Sequence, residues 1–220
     1  MLGIKVKERP SIPTPEANIE YITIPGRDGS MTIRDGTLKD IVVSVPFIFK
    51  TQPNLFAEKF RNAKAWLMAK GSGRLCFSDD PDVFYKARNV VIGENERTVK
   101  KVGEFTAEFT CHGCQYLVDG QKEYTLDAVE YNPYFVSHPV YKIEGEGVCQ
   151  LTVNGNTMRA NGGQNLIIDT ELMIAYREDG SLANTDVLGD YDELYLREGE
   201  NRIDITSGFA LKVIPNWRCL

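Results

Sequence analysis

The chain has 220 residues, of which 42% are hydrophobic and 25% charged, a composition typical of a folded globular protein and not of a disordered one. Its 25 Lys and Arg residues against 31 Asp and Glu residues give a net charge of −6, and no basic run stands out. Proteins that bind the phosphate backbone normally carry a basic face, so the charge argues against nucleic acid as a partner.

The sequence shows neither a signal peptide nor a membrane-spanning stretch. The first ten residues, MLGIKVKERP, are charged from the fifth residue on, and no stretch reaches the roughly 18 apolar residues of a membrane span. We therefore expect cytoplasmic synthesis and no membrane insertion. The cysteines are odd in number and lack the spacing of a small secreted domain, so we expect them to be reduced. They are Cys76, Cys111, Cys114, Cys149 and Cys219.

The first fifty residues predict β-structure. The sequence IPGRDGSM, residues 24–31, places two glycines around Arg27 and Asp28, which is the turn chemistry of a hairpin loop. Residues 41–49, IVVSVPFIF, alternate apolar side chains with a period of two, as a strand with one buried face does. Pro46 within this strand indicates a sheet edge or an irregularity, because proline has no N–H to donate.

A single helix is predicted near residues 54–70. Apolar residues recur there at helical spacing, with Asn54 as the N-cap and Gly71 as the residue that ends the helix. The recurring residues are Phe56, Phe60, Ala63 and Leu67. Trp66 is a possible ligand platform, but beside this apolar stripe we expect it to pack in the core.

Three carboxylates crowd the sequence LCFSDDPDVFYKARN, residues 75–89. Asp79 and Asp80 suggest a metal site or an acid/base pair such as glycosidases use. Neighbouring residues in a strand point to opposite faces, however, which argues against a cooperating pair. The alternative is a turn with Pro81 at its second position and a strand on either side. The concentration of charge, which includes Asp82, then suggests contact with another subunit.

Residues 103–114 can be interpreted either as part of a zinc site or as the end of a strand. Residues 103–111, GEFTAEFTC, alternate as a half-buried strand does, and Cys111-His112-Gly113-Cys114 follows. A structural zinc site needs four ligands, and no second such pair exists, although His138 is present. The alternative is a strand end that turns at Gly113 with one cysteine in the core. The sequence also lacks the G-x-S-x-G, P-loop, G-x-G-x-x-G and H-E-x-x-H motifs, so it predicts no enzyme and no catalytic, cofactor-binding or metal-binding residues.

The second half is built of short strand-like pieces. A polar, proline-containing stretch near residues 120–139 suggests a junction, and turn residues separate apolar pieces at intervals of about 8 to 12 residues from residue 140 on, which is typical of a β-sandwich. The turns fall at Asn154-Gly155, Asn161-Gly162-Gly163, Asp179-Gly180 and Glu198-Gly199. We predict a mainly β protein with two β-sandwich domains, residues 1–133 and 134–220, the first carrying the helix and a protruding hairpin.

Taken in order, these segments resemble the siphophage distal tail protein family over nearly the whole chain. The resemblance rests on IPGRDGSM, the helix before LCFSDDPDVFYKARN, FTCHGCQY, IIDTELMIAYREDG, LREGENRIDI and VIPNWRCL. It implies that the N-terminal domain forms a homohexameric ring at the distal end of the virion tail, with Arg27 and Asp28 in the ring-forming half. It also implies that Asp79, Asp80, Pro81 and Tyr85 match the family's hairpin motif and set a turn at or near a ring contact.

The resemblance further implies partners. The ring joins the major tail tube protein to the tail-tip hub protein, and a galectin-like C-terminal domain faces outward, where in different phages it contacts receptor-binding proteins or carries an inserted carbohydrate-binding module. No insertion is visible in this chain. The alternative is a carbohydrate-binding adhesion module for host cell-wall glycans, with a glycosidase as a more distant one. Trp217, the only tryptophan of this half, is expected to lock the last strand into the core and not to stack on a sugar.

Overall fold

The computed structural model describes residues 3–70, 72–126 and 129–220, and it confirms a mainly β fold. Its contacts divide the chain into a first unit, residues 1–115 with Leu220, and a second unit, residues 116–219. Among the described residues no helix is long and apolar enough to cross a membrane.

The first unit is a sheet with a helix packed on it and a separate hairpin. Its strands are β1 (Ile4–Val6), β2 (Ala17–Thr23), β3 (Ser30–Leu38), β4 (Ile41–Lys50), β5 (Gly73–Phe77), β6 (Asp80–Ile92), β7 (Glu96–Val99) and β8 (Val102–Leu117), and its helix is α1 (Phe56–Ala69). The sheet has the order β1-β4-β8-β6-β5, with β7 also on β8, while β2 and β3 pair with each other outside it.

The core of the first unit lies on the predicted alternating faces. β4 and β8 pair in antiparallel register, with Val45 opposite Ala107, and the apolar side chains that the sequence placed on one face are buried. Helix α1 covers this face, where the Phe60 and Phe105 rings meet edge to face at 5.4 Å. Gly103 leaves room for the Phe49 and Phe56 rings, because a Cβ there would lie 2.5 Å from the first and 2.7 Å from the second. Aromatic packing therefore joins helix and sheet.

The helix differs from its prediction at its N-terminal end and at Trp66. A 3₁₀ turn, Pro53–Leu55, precedes it, so the N-cap is Leu55 and not Asn54. The predicted end at Gly71 lies outside the described residues. Trp66 is 44% exposed, so the prediction that it packs in the core was wrong. The buried stripe runs through Ala63 and Leu67, and Trp66 falls on the flank of that stripe at 100° per residue.

Two residues in the sheet also behave differently from expectation. β4 is an interior strand, and Pro46 lies where its pairing with β1 ends, so the missing N–H falls just past the last paired residue, Val6. The Pro46 carbonyl still accepts a hydrogen bond from the Lys7 N–H at 2.8 Å. β8 does not turn at Gly113 but continues through it. A Cβ at Gly113 would lie 2.5 Å from the Lys39 carbonyl oxygen, so this glycine permits a close crossing of the chain.

The second unit is a sandwich of two four-stranded antiparallel sheets, β14-β13-β10-β18 and β15-β12-β11-β17, with β9 and β16 paired beside them. Its strands are β9 (Tyr131–Asn132), β10 (Val140–Gly145), β11 (Val148–Val153), β12 (Asn156–Asn161), β13 (Gln164–Asp169), β14 (Ile174–Tyr176), β15 (Val187–Leu188), β16 (Gly199–Glu200), β17 (Ile203–Ile205), β18 (Ala210–Ile214) and β19 (Arg218–Cys219). One continuous core joins the inner faces, and Tyr141 inside it donates to the Leu194 carbonyl at 2.8 Å.

The division between the units falls before the predicted boundary at residue 133. Leu117, Tyr124 and Leu126 pack against the second core, and Val129 belongs to it. The polar stretch predicted as a junction therefore packs on the second unit. Asp127 and Ala128 of this stretch lie outside the described residues.

Candidate assembly surface

The predicted hairpin at residues 24–31 is present as β2, a loop and β3. The register pairs Ile22 with Met31 and Glu20 with Ile33, so these side chains share one face of the ribbon. Ile22, Met31 and Ile33, with Ile24 beside the loop, are 37 to 43% exposed, and we call these four residues the apolar stripe. A two-stranded ribbon is marginally stable by itself, so an apolar face on it is expected to need a covering surface.

Arg27 and Asp28 lie in the loop of this hairpin. The Arg27 N–H donates to the Ile24 carbonyl at 3.1 Å, which closes the turn. Both side chains are exposed, and neither forms an ion pair with a described residue. The loop therefore presents one cation and one anion to whatever contacts the hairpin.

The acidic segment also forms a hairpin, but its turn lies three residues earlier than predicted. Phe77 pairs with Asp80, so Ser78 and Asp79 form the turn, and Pro81 belongs to β6. The Arg9 guanidinium pairs with the Asp79 carboxylate and lies 4.3 Å from the centre of the Phe77 ring. Both charged groups are exposed, so the pair contributes little stability.

Asp80, Asp82 and Tyr85 differ in their surroundings. The carboxylates of Asp80 and Asp82 are exposed and form no ion pair within the described part of the chain. Tyr85 is a core residue, and its hydroxyl accepts a hydrogen bond from the Gln115 side-chain amide. The motif therefore combines a buried anchor with exposed negative charge.

A groove of about 460 Å³ lies in the first unit between the acidic hairpin and residues 9–15. Its lining is mostly apolar and includes Ile12, Pro13, Phe77 and Val83, with Asp80 among its polar residues. Ala17 and Leu38, at the base of the β2–β3 hairpin, also line it. Sequence reasoning missed this groove because its walls come from separated segments, and it missed the stripe although the alternation of Ile22, Ile24, Met31 and Ile33 is visible in the sequence.

The cysteine motif lies within β8. Cys111 and Cys114 are both buried, which differs from the expected single buried cysteine. The other histidine of the chain, His138, stacks on Tyr195 at 4.0 Å, and its Nε2 lies 2.9 Å from the Arg218 guanidinium. Among the described residues no cluster of His, Cys, Asp and Glu side chains could hold a metal ion.

Thiol reactivity tests this arrangement of cysteines. Burial raises the pKa of Cys111 to about 11, so its thiolate fraction at pH 8 is about one in a thousand. Cys76 is exposed. We expect a thiol reagent to modify Cys76 quickly in the folded protein and to reach Cys111, Cys114 and Cys149 only after unfolding. Cys76→Ser should remove the fast phase and leave only the slower labelling of the half-buried Cys219. Rapid labelling of Cys111 would contradict the burial.

The second unit offers no exposed tryptophan for sugar stacking. Trp217 is 7% exposed and packs against Tyr134, with ring centres 6.2 Å apart. The outer side chains of β11 and β12 are polar or aliphatic, as in Gln150 and Arg159. Stacking on an aromatic ring, the feature on which the carbohydrate alternative depends, therefore has no platform on these two strands.

Two comparisons identify relatives. Residues 4–111 match the family described as the phage tail protein RIFT-related domain. The crystal structure of the Dit protein of SPP1, described as a paradigm of the hub adsorption apparatus in phages that infect Gram-positive hosts, superposes with a TM-score of 0.62 at 13% identity and covers 99% of this chain and 92% of that one. No curated protein matches the sequence.

The structural match shows a shared fold across both units, since 13% identity is too low to carry more. The family match covers most of the first unit, which holds the stripe and the groove. Residues 4–111 therefore match the phage tail protein RIFT-related domain, and the resemblance of the chain to siphophage distal tail proteins is confirmed.

Proposed function

We propose that this protein is a non-enzymatic component of the phage tail that assembles into a homohexameric ring at its distal end. The ring joins the major tail tube protein to the tail-tip hub protein. The family and the shared fold support the place in the tail, and the number six follows from the resemblance to distal tail proteins. On this proposal the chain is made in the host cytoplasm and functions in the virion.

The observation that carries self-assembly is the apolar stripe on the β2–β3 hairpin. Ile22, Ile24, Met31 and Ile33 lie together on a ribbon that pairs with no other described strand. Burying such a face against a neighbour removes apolar surface from water, which is the main driving force of association. An assembly protein needs this kind of surface more than it needs perturbed ionisable groups.

The mass in solution tests the ring. Six chains of 24.7 kDa give 6 × 24.7 = 148.2 kDa, which light scattering over a concentration series resolves from a monomer. We expect a species near that mass with a central opening in negative-stain images. A chain that stays monomeric when mixed with its tail tube and hub partners would refute the ring.

The second unit is proposed to face outward, as a galectin-like domain that contacts a receptor-binding protein. Its compact sandwich, with a core separate from that of the first unit, supports such an attachment module. Binding of the chain to host cell-wall polysaccharide in a pull-down would favour the carbohydrate alternative.

A further inference from the structure

A ring of more than two copies imposes a condition on the surface of each copy. A contact that uses the same patch on both partners closes a dimer, whereas a ring needs two different patches that fit each other head to tail. The apolar stripe is one such patch. The structure must supply a second, complementary patch elsewhere on the first unit if the stripe makes the contact.

The groove beside the acidic hairpin has the required shape and chemistry. It is concave and mostly apolar, and its volume of about 460 Å³ lies within the roughly 300 to 1,000 Å³ of clefts that enclose a ligand. Ile12, Phe77 and Val83 offer apolar contacts for isoleucine and methionine side chains. The stripe is the matching apolar surface on the same unit.

The edges of the two patches offer charges of opposite sign, although the exposed carboxylate of Asp28 lies beside Arg27 in the loop. Asp80 lines the groove and Asp82 lies two residues further along β6, and both carboxylates are exposed without an ion-pair partner in the described part of the chain. Arg27, in the loop next to the stripe, is an exposed cation that likewise forms no ion pair with a described residue. Opposite charges beside an apolar contact set its orientation and suppress wrong pairings.

The hairpin does not bring its own stripe to its own groove. Ala17 and Leu38, which pair at the base of the hairpin, line the groove, and Ile22 lies five residues along β2 from Ala17. At about 3.3 Å per residue this separates Ile22 from the base by roughly 16 Å. The stripe is therefore placed to reach a second molecule.

From these observations we propose that the apolar stripe on the hairpin of one copy packs into the groove of the next copy, with Arg27 of the first beside Asp80 and Asp82 of the second. This contact rests on the proposed self-assembly, and it names the two surfaces that the ring repeats. It also gives the acidic hairpin a role, since its carboxylates flank the site that the neighbouring hairpin enters.

Sedimentation of matched variants of the full chain tests the contact. Met31→Glu places a carboxylate in the stripe, and Val83→Glu places one in the groove near Asp80. A desolvated, unpaired carboxylate is strongly unfavourable, so each variant should raise the dissociation constant between copies roughly 100-fold. Thr32→Glu, on the other face of the ribbon, and Val91→Glu, an exposed position of β6, should assemble like the wild type.

Mixing the two defective variants separates this contact from others. The Met31→Glu chain keeps its groove and the Val83→Glu chain keeps its stripe, so the mixture should form a dimer of 2 × 24.7 = 49.4 kDa, although each variant alone stays monomeric. The same dimer shows that both variants are folded. A mixture that stays monomeric would overturn the head-to-tail contact, and a dimer formed by Val83→Glu alone would show that stripe packs against stripe.

The remaining outcomes distinguish this contact from the ring itself. A ring that still forms from Val83→Glu overturns the groove contact and leaves the hexamer in place. A wild-type chain that is monomeric at every concentration overturns the contact between copies, and assembly with the tail tube and hub proteins then decides about the ring separately. Loss of binding to one of those proteins in Met31→Glu, with self-association unchanged, would assign the stripe to that partner.

Discussion

Trp217→Ala should lower the free energy of unfolding of the second unit by about 3 to 5 kcal/mol, the usual cost of removing a buried large aromatic side chain. The indole lies in the sandwich core, 7% exposed, and the backbone around it is equally constrained. The Trp217 carbonyl accepts from the Leu117 N–H at 2.9 Å. A Cβ at Gly120 would lie 2.5 Å from the backbone nitrogen of Trp217. Because the two chain segments are packed this closely, they have little freedom to fill the cavity that removal of the indole leaves.

Trp66→Ala is the matched control because it makes the same substitution at an exposed site. Trp66 is 44% exposed on helix α1, and alanine favours the helix, so the change should cost less than about 1 kcal/mol. Urea denaturation of the full chain, followed by far-UV circular dichroism, measures both. Equal losses in the two variants would contradict the different burial of these tryptophans.

The fate of these two tryptophans shows what the sequence determines and what it leaves open. Trp217 was expected in the core and lies there, whereas Trp66 was expected in the core and does not. Helical spacing fixes the angle of a side chain around its axis but not the width of the surface that the sheet covers. That width depends on strands distant in sequence, so residues at the edge of a stripe are the uncertain ones.

Strands were predictable where one face is buried and the other is not. β4 and β8 alternate over most of their length because each has a core face and an outer face, and the period of two survives in the sequence. β12, with the sequence NTMRAN, was not predicted, since only Met158 and Ala160 point to the core. Its place comes from pairing with β11, which composition does not encode.

Only part of the candidate assembly surface could be predicted from the sequence. The hairpin loop with Arg27 and Asp28 follows from local turn chemistry, and the acidic turn was located to within three residues. Whether either one lies at a ring contact stays a prediction. The groove arises where residues 9–15, the acidic hairpin and Gly113 come together, and contacts between such distant segments leave no periodic trace in the sequence.

Arg177→Ala should lower the free energy of unfolding by about 2 to 3 kcal/mol, because it removes a charged donor from several acceptors at once. The Arg177 guanidinium donates to the carbonyl oxygens of Gly162 and Asn165 and pairs with the Asp186 carboxylate. It thereby holds the turn between β12 and β13, where Gly163 at φ +51° leaves the room that the guanidinium fills. Without it, these carbonyl groups and a half-buried carboxylate lose their donor.

Arg202→Ala is the control that isolates burial from charge. Arg202 also pairs with a carboxylate, that of Asp204 at 2.9 Å, but its side chain is 85% exposed against 20% for Arg177. An exposed pair is worth little, so this change should stay within about 0.5 kcal/mol of the wild type. Arg177→Lys should recover only part of the loss, because an ammonium group lacks the planar fork that reaches several acceptors. A full recovery with lysine would mean that charge alone, and not the geometry of the guanidinium, holds this turn.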